Sequence, residues 1–431
     1  MTVRDLSPET APPAQTTRAD RRAAVVNRSA TRVILAALLV LVAVSLTRII
    51  SGKADLTAGG AMGAAINSAV PIMLAGLGGL WSERSGVVNI GLEGQMILGT
   101  WFAADFGYQT HSAWMLIVGG LIGGLIGGIL HAIATVGFGV DQIISGVAIN
   151  LLAPGVAKYL SGIYFTTQKA LTAGGGPTQS PKVNAFNTLD WHSADHWLDK
   201  IDNHHWFFVS DVAGLVDGFI SSLTLFTIIA LLLIPVTWFV MWRTAFGLRL
   251  RSCGENPTAA ETLGVKVYTM KATAVVISGM LAGLAGGFLV NYTGVYHDGQ
   301  TNGRGYIGLA AMIFGNWQPS GLLAGSTLFG YTDGLQQQTS TTTVHALLLL
   351  VAILLGLSAC YSFYQRRVTG GLVALVVAAA VAVWYATTDS IPAEFATYSP
   401  QIITLFVLAI ASQRLRMPAA DGLPWRRGQG A

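Results

Sequence analysis

Apolar stretches of spanning length recur along the chain, near 33–50, 60–81, 90–107, 113–137, 141–163, 218–241, 272–295, 344–361, 370–386 and 398–412. An α-helix of about 20 apolar residues crosses the roughly 30 Å hydrocarbon layer of a bilayer. Two shorter runs, 305–316 and 320–335, are split by the stretch GNWQPSG and read as short or half helices meeting at a break. The polar positions fall between the runs rather than along a regular soluble face. The predicted architecture is all-α: a polytopic membrane helical bundle of about 10–12 spans with broken or short helices.

One stretch departs from this pattern. SERSGVVNIGLEGQ (Ser82–Gln95) places Glu83, Arg84, Asn89 and Glu93 between oily flanks. Each charge at bilayer depth costs roughly 2.5–3.5 kcal/mol on insertion scales. The cost is avoided where the segment lies at an interface, or where it is a broken helix buried against protein or a water-filled path. Gly86 suits the break, and Arg84 then pairs with Glu83 or reaches Glu93. Three roles stay open for the stretch: a structural pair or hinge brace (Glu83, Arg84, Gly86), direct solute contact by Glu93, or an interface loop.

Orientation follows from the basic residues. With the N-terminal end inside and every run counted, the loops 243–271 and 364–367 and the basic C-terminal end fall inside, as the positive-inside rule requires. The segment 164–217 falls outside, with six Asp against three Lys. The organisation predicted is a cytoplasmic basic tail (1–32), a transmembrane domain (33–412) and a cytoplasmic C-terminal tail (413–431). The first thirty residues are polar and basic and do not read as a signal peptide.

Composition agrees with a membrane protein. Hydrophobic residues make up 52% and charged residues 11% of the chain, against roughly a quarter charged in soluble domains. The net charge of +4 carries no implication of nucleic acid. Cys253 and Cys360 imply neither a disulfide nor a metal site. Glycine is patterned: Gly119, Gly123 and Gly127, and again Gly279, Gly283 and Gly287, form two arrays that let helix backbones approach closely. An internal echo pairs LAGLGG (74–79) with LAGLAGG (281–287), and IGLEGQMILG (90–99) with IGLAAMIFG (307–315). Chance likeness between glycine-rich helices and the pseudo-symmetric halves of a transporter both account for it.

Candidate solute contacts are amides, which offer donors and acceptors to a neutral polar molecule. Asn67 lies one turn before Pro71. Asn89, Asn150 and Asn291 sit near ends of apolar runs, and Asn316 and Trp317 occupy the break at 315–321. Trp317 offers a stacking face for a planar ring. Hydrogen bonding between helices, or for Trp317 a place at the interface, is the plainer role for each. The inside segment 246–267 is the second candidate. Asn256 before Pro257 is a helix start, and Gly264 a stop. Arg249, Arg251 and Glu255 beside Ala259, Ala260 and Gly264 suit docking into a groove on another protein, or simply a basic inside loop. Outside, His192 and His196 have i, i+4 spacing, but no metal site is assigned. Trp191, Trp197, Trp206, Phe207 and Phe208 cluster nearby.

GLRLRSCGENPTAAETLGV followed by SGMLAGLAGG resembles the coupling region of ABC importer permeases of the ribose and branched-chain amino acid type. SERSGVVNIGLEGQMILG, DQIISGVAINLLAPG and GRGYIGLAAMIFGNWQPSGLLAGSTLFG resemble one permease subunit of bacterial nucleoside ABC importers. The likeness covers most of 60–340 and the final span; the basic tail, the 164–217 loop and the pair of runs at 344–386 look like additions. The resemblance implies a type II alternating-access permease of the bacterial inner membrane, multi-pass with a cytoplasmic N-terminus and not itself catalytic. It further implies a second, homologous permease subunit, a cytoplasmic ATPase gripping residues 249–264, and an extracellular lipid-anchored binding protein. ATP and Mg belong to that ATPase; no GxxxxGK[ST] loop occurs in this chain. Sugar or branched-chain amino acid uptake is the neighbouring alternative. An ion-coupled carrier with Glu93 as its proton site is the alternative of another class. No Ser/His/Asp or metal constellation supports a membrane enzyme.

Overall fold

The structure is a computed structural model; it describes residues 38–189, 206–338, 341–392 and 415–426, with scattered positions between. The expected basic tail, His192, His196, Trp191 and all of the run 398–412 but its first residue lie outside the described residues. In chain order the helices are α1 (Leu38–Ser51), α2 (Gly59–Glu83), α3 (Leu92–Thr110), α4 (Trp114–Ala132, prolonged by a π-turn at Ile133–Gly137), α5 (Gln142–Tyr164), α6 (Val209–Ser221) and α7 (Leu225–Arg243). There follow α8 (Ala245–Glu255), α9 (Pro257–Thr262), α10 (Val267–Thr293), α11 (Arg304–Phe314), α12 (Pro319–Gln338), α13 (Thr341–Tyr364) and α14 (Val368–Thr387). Among the described residues seven helices are long and apolar enough to cross a membrane, so the chain is a multi-pass membrane protein with an all-helical bundle.

Small residues set the packing at the centre of the bundle. Gly119, Gly123 and Gly127 of α4 lie directly on α3, against Phe102, Leu98 and Gln95. The offset set Gly120, Gly124 and Gly128 lies on α10, against Gly279 and Gly283. The two arrays in α4 therefore clamp two different neighbours, and a side chain at any of these positions but Gly127, which faces the Gln95 side chain, would meet backbone. Dispersion between close backbones replaces the hydrophobic drive that lipid-facing helices lack.

The central helices show why the sequence echo is more than composition. Gly78 meets Ser278, while Asn67 and Ser68 share a pocket with Leu289 and Tyr292, so α2 and α10 run antiparallel. Each is followed by an irregular stretch and a helix that starts inside the bundle. Leu92, the first residue of α3, lies against Gly78 and Gly79, well before the end of α2. At the N-terminus of α11, Gly305 touches Glu93. From this shared point α3 runs with α10 and α11 runs with α2.

Several boundaries differ from expectation. The run 218–241 is two elements: α6 closes at Ser221 and α7 opens at Leu225, because Thr224 caps α7 by accepting from Thr227 N at 3.1 Å. The 164–217 loop thus ends inside a helix, and Arg48 of α1 ties that helix down through Asp211 at 3.1 Å. Only one of the two short runs is short. At 11 residues, α11 is about 16 Å long, half of a hydrocarbon layer. The 20 residues of α12 are a full-length helix whose hydropathy is lowered by Asp333, Gln336, Gln337 and Gln338, while Gly330 and Gly334 seat it on Ala69 and Ala65 of α2. The segment 246–267 folds as two helices, not one, with the kink at Asn256.

Candidate functional site

The link between α2 and α3 is the polar centre of the molecule. Residues 84–91 leave the helix at Arg84, turn at Gly86 with φ +84° and climb back into the bundle. Backbone at membrane depth must find its partners in protein, and here side chains from other helices supply them. Gln142 Oε1 accepts from Val88 N at 2.6 Å, and His131 Nε2 lies 3.0 Å from Val88 O. Lys271 Nζ donates to Gly86 O at 3.2 Å. Asn150 donates to Ile90 O at 2.8 Å and accepts from Gly94 N at 2.7 Å. Asn89, fully buried, accepts from Gly91 N and donates to Gln95 Oε1 and Ser278 Oγ. Asn89 and Asn150 therefore brace the break from inside rather than facing open space.

Glu93 and Arg84 do not pair. The Glu93 carboxylate accepts from Thr301 Oγ1 at 2.6 Å, Gly303 N at 3.0 Å and Gly305 N at 2.7 Å. It sits on the N-terminus of α11, where exposed N–H groups and the helix dipole favour negative charge. Arg84 instead donates through Nε and Nη2 to the carbonyl of Trp317, at 2.9 and 2.6 Å. Glu83 accepts from the Trp317 indole at 2.6 Å. The pairing expected from sequence is thus replaced by a clasp on the second break. Asn316 and Trp317 adopt φ of +55° and +52° there, turning the chain sharply from α11 into α12. The Trp317 ring is buried, and Asn316 Oδ1 accepts from Arg416 N at 2.7 Å.

The helical pair α8–α9 lies directly beneath this hinge. Asn256 Oδ1 caps α9 by accepting from Ala259 N at 2.9 Å, Pro257 takes the first helical position, and Gly264 closes the segment at φ +80°. Gly254 packs its backbone on Arg84 and Gly86, so close that a Cβ would strike the Arg84 carbonyl. The Trp242 ring lies between Arg84 and Arg251, 5.4 and 5.3 Å from their guanidinium carbons; Arg251 also donates to Met241 O. Arg249, Glu255 and Ala259 are exposed, Leu263 is 85% exposed and Leu248 61%, whereas Ala260 is buried. This face offers two bare leucines ringed by charge, mounted on the backbone of the hinge.

Asn67 and Asn291 lie elsewhere. Asn67 lines a pocket of about 140 Å³ with Ser68, Tyr292, Gln300, Arg304 and Gln337, in which Asp333 holds Arg304 at 2.6 Å. At the end of the bundle away from α8–α9, Asn291 borders a cavity of about 530 Å³ with Lys182, Asn184 and Asn187, and its Oδ1 accepts from Phe186 N at 2.8 Å.

A family model described as "Branched-chain amino acid transport system / permease component" matches residues 61–358. The chain belongs to this permease family. It is 31% identical to the guanosine ABC transporter permease protein NupQ of Bacillus subtilis, over 84% of this chain and 94% of that protein. Identity to the nucleoside ABC transporter permease protein NupC of Lactococcus lactis is 29%, over 82% and 92% of the two chains. With the putative glucose ABC transporter permease protein TsgC13 of Haloferax volcanii it is 31%, over 67% and 80%. No solved structure matches.

Both breaks and the α8–α9 pair of the permease fall inside the matched region. Sequence reasoning missed the residues that serve them from afar: Gln142, His131, Lys271 and Thr301. A lone Lys in an apolar run, as at 271, was the available signal, since a membrane helix bears such a charge only where a partner waits.

Proposed function

We propose that the permease is one of two membrane subunits of an ABC importer for nucleosides, moved by a separate ATPase. One observation carries the reading: the alignment with permeases named for guanosine and for nucleosides runs through the hinge, the α8–α9 pair and nearly the whole of those proteins. The α8–α9 face is the ATPase's grip, on the cytoplasmic side together with the N-terminus. Leu248 and Leu263 enter its groove, and Arg249 and Glu255 set the register. Because Gly254 rests on Arg84–Gly86 backbone, a displacement of α8 reaches the hinge without slack. The hinge passes it to α11–α12 through the Arg84–Trp317 clasp and to α3. ATP and Mg act on the ATPase alone.

The nucleoside meets amides rather than charges. Asn67, with Gln300 and Gln337, offers the paired donors and acceptors that a base edge or ribose needs, and Tyr292 an aromatic face. The exposed apolar side of α5, with Leu151 75% and Leu152 65% exposed, suits a second, homologous permease subunit. The aromatic outer segment, with Trp197 and Trp206 exposed, suits a lipid-anchored binding protein on the opposite side. Glu93 has both oxygens engaged, which weighs against an ion-coupled carrier built on it.

Uptake of labelled guanosine, glucose and leucine in a strain lacking the chain tests the solute. Nucleoside uptake is expected to vanish and return with the wild-type gene. Loss of glucose uptake alone would favour the sugar reading that the likeness to TsgC13 supports, and refute this one.

A further inference from the structure

Two cavities share one ring. The inner one, of about 140 Å³, is the pocket of Asn67, Gln300, Arg304 and Gln337. The outer one, of about 530 Å³, lies at the end of the bundle away from α8–α9. Tyr292 and Thr293, in the last turn of α10, line both. Sites that enclose a small organic ligand run roughly 300–1,000 Å³. The outer cavity has that size and the inner pocket does not.

The outer cavity has a fixed wall. Residues 182–187 cross the end of the bundle with side chains turned alternately in and out: Val183 is buried against Gly107, while Lys182 and Asn184 are exposed. Val183 N donates to Gly294 O at 2.9 Å, Phe186 N to Asn291 Oδ1 at 2.8 Å and Asn184 Nδ2 to His111 O at 2.8 Å. The Phe186 ring stands edge-on to Trp114 of α4 and Phe226 of α7, at 5.2 and 6.1 Å. These ties hold the segment to four helix ends and keep it out of the cavity.

Tyr292 is held by nothing comparable. On one side Asn291 is pinned by Phe186 N, and on the other Thr293 Oγ1 donates to Leu289 O at 3.0 Å and Val295 O at 2.6 Å. The Tyr292 side chain, 41% exposed, makes no hydrogen bond or ring contact among the described residues. It is a ring free to change rotamer on a fixed backbone. The chemistry on either side suits an uncharged polar molecule. Asn187 and Lys182 offer donors in the outer cavity, and in the inner pocket Asp333 neutralises Arg304.

We propose that the outer cavity is the entry site of the transported nucleoside, held there on the ring of Tyr292, from which it passes to the inner pocket. The base stacks on the ring, and Asn187 and Lys182 donate to its carbonyl and ring-nitrogen acceptors. A rotamer change at Tyr292 then turns the stacked base toward Asn67 and Gln300, and the inner pocket widens to receive it. The identity of the solute rests on the importer reading; the place of the site and the role of the ring do not.

The test is thiol labelling of the full chain in lipid nanodiscs. Cys360→Ser leaves the buried Cys253 as the native thiol, and Ala185→Cys, on the cavity wall, is the reporter; Asn187→Cys replaces it should that variant fail to fold. Uridine, glucose and leucine are the protectants. At about 10 mM and a Kd of about 1 mM, roughly one cavity in eleven stays empty, so uridine should slow labelling about tenfold. Tyr292→Phe should keep this protection and Tyr292→Ala lose most of it. In cells, labelling Ala185→Cys with a bulky reagent should abolish uridine uptake and leave the Cys360→Ser parent unaffected. Protection by none of the three solutes, full protection in Tyr292→Ala, or undiminished uptake after labelling overturns the proposal. Protection by glucose or leucine without uridine would support the site and refute the nucleoside reading, so the two failures are distinct.

Discussion

Glu93→Gln separates a structural staple from a solute contact. In the wild type one oxygen accepts from Thr301 Oγ1 and Gly303 N and the other from Gly305 N, at 2.6, 3.0 and 2.7 Å. The glutamine keeps one oxygen, which serves Thr301 and Gly303 best, and those two bonds fall from charge-assisted to neutral, about 1 kcal/mol each. Its NH2 then faces the Gly305 N–H, a buried donor against a donor, for about 1–3 kcal/mol more. The sum is about 3–5 kcal/mol, with a small part from lost attraction to the α11 dipole. Denaturant unfolding of the full chain in detergent reads it, and proteolysis within 294–303 should accelerate. Solute KM in the surviving folded fraction should stay near wild type. A variant as stable as wild type within about 0.5 kcal/mol, or one of full stability with an altered KM, would refute the staple.

The remaining predictions concern the pocket and the hinge contact. Arg304→Leu strands Asp333 and should destabilise by about 3–5 kcal/mol; Arg304→Leu with Asp333→Leu should regain most of this in the same unfolding assay, and a double variant no better than the single would show that charge burial is not the cause. Gly254→Val forces α8 off the Arg84 carbonyl and should cut the ratio of solute-stimulated to basal ATP hydrolysis at least about fivefold, the low end of typical coupling energies; an unchanged ratio in reconstituted vesicles would remove α8 from the transmission path. Asn67→Leu should raise the KM for guanosine uptake without changing the level of protein in the membrane, and equal KM values would take Asn67 off the solute path.

Local features were legible because their causes are local. Runs of apolar residues with helical length mark most of the spans, and GNWQPSG marks the break that positive φ at Asn316 and Trp317 realises. Asn256–Pro257 forms the cap its spacing announces, since a cap needs only residues three apart. The boundary at 221–224 was hidden because two serines and a threonine dip the hydropathy only slightly and briefly between apolar flanks, while Thr224 diverts the backbone. The length of α12 was hidden because Asp333 and the three glutamines at its end lower its apolar average.

The sequence by itself determined that the charges at 83–93 had to be kept from lipid, in a break buried against protein or in a loop at the interface, because lipid offers them nothing. Which partner each would find was decided only by tertiary structure. Arg84 meets a carbonyl 233 positions away, Glu93 the start of a helix 212 positions on, and Glu83 an indole 234 positions away. Such choices depend on which helices lie side by side and at what depth, and that is set by glycine-to-glycine contact across the whole bundle rather than by anything within one turn of the residue concerned.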